Sequence, residues 1–173
     1  GLGKLASSAA VSKKGTYSNE IYRACKLMEI RDFNKAIDKF RYIYNQYPND
    51  LNDQYFLLIG LCYLQIKQFE AAEDMLLRAL QYNSNNVEVY QNLGFLYIAK
   101  NNPTKAEAFF RHGIHIDPNN AILHMGLGTA FFKQKRYEEA EQELLESIRI
   151  EPNQTAYELL GLVSAKKKEV SDR

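Results

Sequence analysis

Nowhere does the sequence hold the roughly 20 consecutive apolar residues that a membrane-spanning helix requires. It also lacks an excess of either charge: 22 basic and 21 acidic side chains give a formal +1. Nothing therefore draws the whole molecule to nucleic acid or to an anionic membrane. Two small basic clusters, Lys4, Lys13 and Lys14 near the start and Lys166, Lys167 and Lys168 near the end, read as solvated tails. Cysteine is limited to Cys25 and Cys62, too few for a disulfide framework. Each lies in an apolar helical pattern, where a thiol packs as a small hydrophobe. The opening 15 residues are rich in Gly, Ser, Ala and Lys and lack the apolar core of a signal peptide. The first residue is Gly, so a processed or truncated chain, with a signal or anchor removed upstream, stays open. Without one, a cytoplasmic location is expected.

Motifs that carry chemistry are equally scarce. There is no Ser-His-Asp arrangement, CxxC pair, phosphate loop or dinucleotide fingerprint. His112 and His115 have an i, i+3 spacing that allows joint metal ligation, but no third or fourth ligand is evident near them. His124 reads as a packed histidine, and Glu138, Glu139 and Glu141 as a solvated helix face. The expectation is a chain with no enzymatic activity, no metal or other cofactor, no small-molecule substrate and no nucleic-acid partner. Membrane contact is expected only through a partner or a missing anchor.

What the sequence does hold is a period. Gly60, Gly94 and Gly128 are spaced by 34 and 34 residues, and Gly161 follows after 33. Ala36, Ala72, Ala106 and Ala140 repeat at 36, 34 and 34. Pro48, Pro118 and Pro152 form a third ladder, with Ser84 where a fourth proline would fall. Three ladders with one period mark a repeat architecture. The small residues suit the close crossing of two antiparallel helices. The apolar residues around them, Phe56, Ile59 and Tyr63 before Ala72 and Leu76, then Tyr90, Leu93 and Tyr97 before Ala106 and Phe110, have amphipathic helical spacing. Each proline ends a second helix, because it cannot continue the backbone ladder and restricts the residue before it. Asn102 followed by Pro103 is a good helix start.

This pattern resembles the tetratricopeptide-repeat family, whose 34-residue unit places an aromatic, Leu-Gly, Tyr, Ala, Phe and Pro at set offsets. The match is seen in Phe56, Ile59, Gly60, Tyr63, Ala72, Leu76 and Ala79, and again in Tyr90, Leu93, Gly94, Tyr97, Ala106, Phe110 and Pro118. Leu127, Gly128, Phe131, Ala140, Leu144 and Pro152 continue it, with His124 in place of the first aromatic. The first repeat keeps Ala24, Leu27, Ala36, Phe40 and Pro48, but Glu20 and Arg23 stand where apolar residues are usual, as suits a terminal repeat. The resemblance implies an all-α, right-handed α-solenoid of about four helix–turn–helix repeats. They are expected at 17–50, 53–86, 87–120 and 121–154, after a tail over 1–16. A capping helix over 155–168, started by a Thr155/Glu158 capping box and turning Tyr157, Leu160, Gly161 and Ser164 inward, precedes a tail over 169–173.

The family resemblance also implies where a partner would sit. First helices line a concave groove, and the second, fifth, ninth and twelfth residues of each repeat supply most contacts. These positions hold Ser18, Ile21, Cys25 and Met28, then Gln54, Leu57, Leu61 and Leu64. The third repeat gives Glu88, Gln91, Phe95 and Ile98, with Asn92 beside them, and the fourth gives Ile122, Met125, Thr129 and Phe132. Most are apolar. Family members that hold acidic chaperone tails use a clamp of lysine, arginine and asparagine. Here the two possible registers give Ile21, Cys25, Leu58, Glu88 and Asn92, or Leu57, Leu61, Asn92, Ile122 and Gly126. Only Asn92 agrees, so a carboxylate clamp is not expected. The preferred expectation is a scaffold or adaptor holding an apolar or amphipathic segment of another protein or peptide. A cargo chaperone for hydrophobic segments of secreted proteins and a module of a larger enzyme or membrane-associated protein are the alternatives. Self-association through the groove stays open.

Overall fold

The computed structural model describes residues 16–173, and among them every regular element is an α-helix. The helices are α1 (Thr16–Glu29), α2 (Phe33–Gln46), α3 (Asp53–Gln65), α4 (Phe69–Tyr82), α5 (Val87–Ala99), α6 (Pro103–Ile116), α7 (Ala121–Lys133), α8 (Tyr137–Ile150) and α9 (Gln154–Ser171). The all-α, helix–turn–helix architecture expected from the period is thus what the described residues adopt. The expected N-terminal tail lies outside the described residues, except for Thr16, which opens α1.

Local chemistry sets the helix ends. Asn52, Asn102, Asn120 and Asn153 each cap a helix by accepting a hydrogen bond from the backbone N–H three residues on, and Asp32 does the same for α2. Pro103 takes the first helical position of α6, as expected. The turn inside each hairpin carries a signal that the sequence hides. Arg31, Lys67, Asn101 and Lys135 all have left-handed backbone, with φ of 65°, 59°, 58° and 62°. The next residue in each case donates its N–H five residues back, as in Gln68 to Tyr63 at 2.9 Å and Asn102 to Tyr97 at 2.8 Å. This is the Schellman closure, made here without glycine.

The chain divides into two compact units, with the boundary between Asn86 and Val87. In the described part of the first, hairpins α1–α2 and α3–α4 pack side by side, α3 resting on α2. Helix α3 is apolar nearly all round, because its neighbours bury Tyr55 through Gly60 as well as Cys62 and Tyr63. The Tyr55 hydroxyl donates a 2.7 Å hydrogen bond to the Phe40 carbonyl, so a buried phenol is satisfied while tying α3 to α2. Burial pushes the Cys25 thiol up to about 11 and the Cys62 thiol to about 12, in keeping with two packed small hydrophobes.

In the second unit, hairpins α5–α6 and α7–α8 pack in the same way, and α9 lies against α8 and α7. The buried Ser147 hydroxyl donates to the Ala121 carbonyl at 2.8 Å, tying α8 to the start of α7 within one hairpin. His124 is buried as expected. Its Nε2 lies 2.8 Å from the Pro118 carbonyl and its Nδ1 2.6 Å from Glu143. His112 stacks flat on Tyr90 with ring centroids 4.5 Å apart.

Two expectations about the last helix need correction. Asn153, not Thr155, caps α9, its side chain accepting from the Ala156 N–H at 2.8 Å. Of the four residues expected to face inward, only Leu160 does so, half-buried on the face of Ala156 and Val163, while Tyr157, Gly161 and Ser164 are exposed. Tyr157 is 53% exposed, and a Cβ built on Gly161 would meet nothing within 4 Å. The helix is anchored by buried Ala156 and Val163 instead. The reason is positional. Gly161 continues the glycine ladder, whose members in earlier repeats face the second helix of their own hairpin, Gly60 against Leu76 and Gly128 against Leu144. Among the described residues, no second helix follows α9.

Candidate binding faces

Helical geometry separates the two sides of each first helix. On α3, Tyr55, Phe56, Ile59 and Tyr63 form one stripe, while Gln54, Leu57, Leu61 and Leu64 fall on the opposite stripe at 100° per residue. The first stripe is packed. The second holds the positions expected to meet a partner, and its exposure varies by position.

In the first unit that face is mostly consumed by packing. Ile21, Cys25 and Met28 of α1 and Leu57 of α3 are buried, none more than 2% exposed. These four cannot line an open groove, which corrects the sequence expectation. Their apolar character serves the interior of the unit, where Cys25 and Cys62 are close enough to influence each other. Leu61 and Leu64 remain half-buried, and Gln54 is exposed. The usable surface here is therefore small.

The second unit keeps a broader face. Helices α5 and α7 touch, and their contact is fixed by Phe110 from α6. A Cβ on Gly94 would lie 2.4 Å from the Phe110 ring, and one on Gly126 would lie 2.3 Å from it. The ring thus occupies a slot that two glycines leave open. Phe95 packs edge-on against Phe110 at 5.0 Å, so its half-buried ring is partly structural. Gln91, Asn92, Ile98, Met125, Thr129 and Phe132 are all half-buried around it. Asn92 donates its amide to the Glu88 carbonyl at 2.8 Å, and Thr129 its hydroxyl to the Met125 carbonyl at 2.9 Å. Both polar side chains are turned onto their own helices, so the face presents the sulfur and hydrocarbon of Ile98, Met125 and Phe132 beside Gln91. Met125 and the exposed Ile122 also line a pocket of about 260 Å³ with Glu151, Asn153 and Thr155. The wedge formed by Phe110 was not foreseen from sequence. Its signal was the extra glycine at 126, two residues before Gly128 and outside the 34-residue ladder.

The family described as Tetratricopeptide repeat matches the chain over residues 97–162, 75–108 and 53–86. No curated protein matches it. Among solved structures, MamA 41-end from Desulfovibrio magneticus RS-1 superposes with a TM-score of 0.78 at 12% identity, covering 88% of this chain and 85% of its own. The first TPR of Spaghetti (RPAP3), bound to HSP90 peptide SRMEEVD, gives 0.64 at 18% identity over 66% of this chain and 91% of that one. The Sgt2 TPR domain from Aspergillus fumigatus gives 0.67 at 21% identity over 70% and 82%. At these identities the likeness is one of fold.

Proposed function

Because the chain belongs to the tetratricopeptide-repeat family, we propose that it is a protein-binding scaffold. In this reading its second unit holds an apolar or amphipathic segment of a partner on the α5–α7 face. The carrying observation is that Ile98, Met125 and Phe132 stay half-exposed there while Asn92 and Thr129 are bonded to their own helices. The peptide-bound relative supports the general mode, a tetratricopeptide surface engaging a peptide. The chemistry differs from a clamp for acidic peptide: Ile21, Cys25, Leu57 and Leu58 are buried, and Asn92 spends its amide on Glu88. Three apolar anchors at roughly 1.5–3 kcal/mol each, set against the costs of association, suit binding in the micromolar range.

The test is capture of partners from a native extract by the unaltered chain beside an Ile98→Ser/Met125→Ser/Phe132→Ser variant with matched helicity and unfolding cooperativity. Phe95 is left untouched because its ring supports Phe110. A protein retained only by the unaltered chain supports the reading. Equal capture by both moves the binding surface elsewhere and defeats it.

A further inference from the structure

On the other side of α3 from Leu61, the first unit has a cleft of about 250 Å³ between α2 and α4. Its floor is Tyr55, Phe56, Ile59 and Tyr63, and Arg41 and Arg78 stand on opposite walls. The floor is aromatic and aliphatic, the walls carry two guanidinium groups, and no carboxylate lines the space. Asp38 and Asp74 touch the two arginines only from their own helices, at 3.9 and 3.4 Å, and are themselves well exposed. Arg41 also donates a long 3.4 Å hydrogen bond to the Tyr63 hydroxyl. Each guanidinium has five N–H donors, so most of this capacity faces the cleft or solvent.

The second unit provides an internal comparison. Shifting the repeat register puts Glu143 at the place of Met75, His124 at that of Phe56, Arg111 at that of Arg41, and Phe131 at that of Tyr63. There the chain supplies its own acid: Glu143 reaches His124 at 2.6 Å. Arg111 is neutralised by Glu107 at 2.9 Å, and Arg136, bound to the same carboxylate at 2.8 Å, covers the Phe131 ring. The first unit has the cations and the apolar floor, but a methionine where the second has its inward-reaching carboxylate.

We propose that the α2–α4 cleft is a second docking site, for a protein segment that inserts one large apolar side chain flanked by acidic residues. The apolar side chain takes the floor, and the flanking carboxylates take Arg41 and Arg78 in charge-assisted, bidentate geometry. A volume of about 250 Å³ admits one aromatic side chain and not a folded element. The site is independent of the α5–α7 face, so either can fail without the other.

An NMR titration of the amide-labelled chain tests it, using the blocked tripeptide acetyl-Glu-Phe-Glu-amide and its neutral counterpart acetyl-Gln-Phe-Gln-amide. The acidic peptide should bind in the low millimolar range, shifting amides of α2, α3 and α4, and the neutral one should bind at least about fivefold more weakly. Arg41→Gln with Arg78→Gln should remove that preference while leaving the spectrum dispersed. Met75→Glu, which places an internal acid as Glu143 does, should abolish binding. The Ile98→Ser/Met125→Ser/Phe132→Ser variant should titrate like the unaltered chain. Equal binding of the two peptides, shifts confined to α5–α9, or no shift up to about 20 mM overturns the proposal.

Discussion

Phe110 and Gly126 fit together so closely that a single added carbon on the glycine would lie 2.3 Å from the ring. Gly126→Ala should therefore destabilise the chain by about 1–3 kcal/mol, the usual cost of overpacking a filled interior. Phe110→Leu in the same chain should recover part of that loss, so the pair is less than additive. Urea unfolding of the two single variants and the double variant measures it.

The left-handed turn residues offer a change in the opposite direction. Lys67 is exposed with φ of 59°, a backbone that costs a side-chain-bearing residue about 1–2 kcal/mol. Glycine removes that cost but gives back about 0.5–1 kcal/mol in unfolded-state entropy. Lys67→Gly should raise stability by a net of roughly 0.5–1 kcal/mol, read as a higher thermal midpoint.

Acid should weaken the fold through two carboxylates. The hydrogen bond from Lys39 holds Glu20 below its ordinary value of 4.5, helped by the Lys39 and Arg23 charges against the effect of burial. Burial pulls Glu107 upward, but Gln134, Arg111 and Arg136 outweigh it and bring it below 4.5. A folded-state value below the unfolded one means stability present at neutral pH and lost as the pH falls through 4.5 and below. Glu20→Gln with Glu107→Gln should flatten that acid limb between about pH 5 and 2 in unfolding measurements at stepped pH.

The two thiols should be silent until the chain unfolds. With Cys25 raised by burial to about 11 and Cys62 to about 12, the reactive thiolate is scarce and enclosed at about pH 8. A chromogenic disulfide reagent should leave both unmodified in buffer and modify both rapidly in urea. Rapid reaction of the native chain would contradict their burial.

The repeat was legible because two helices can cross closely only where side chains are small, and that demand fell on Gly60, Gly94 and Gly128 in step with Ala72, Ala106 and Ala140. The same ladder misled at Gly161. A residue suited to face a second helix says nothing about whether one is there, and α9 rests on Ala156 and Val163 instead. The contact face was legible only in part for a related reason. Ile21, Cys25, Met28 and Leu57 occupy the positions that line grooves in the family, yet an apolar residue at such a position reads alike whether it is exposed or enclosed. Neighbouring elements decide between the two, and they bury these four while leaving Ile98, Met125 and Phe132 half-open. The cleft beside Arg41 and Arg78 was invisible because it depends on what is missing from its walls, which periodicity does not register.

Arg31, Lys67, Asn101 and Lys135 hold one backbone shape with three kinds of side chain. The hairpin bend is thus inherited as geometry, and duplication can pass it on while drift rewrites the exposed group. All four side chains are exposed, which makes these bends natural attachment points. A dye, a crosslinker or a purification handle placed there would report on one hairpin at a time without entering either binding face.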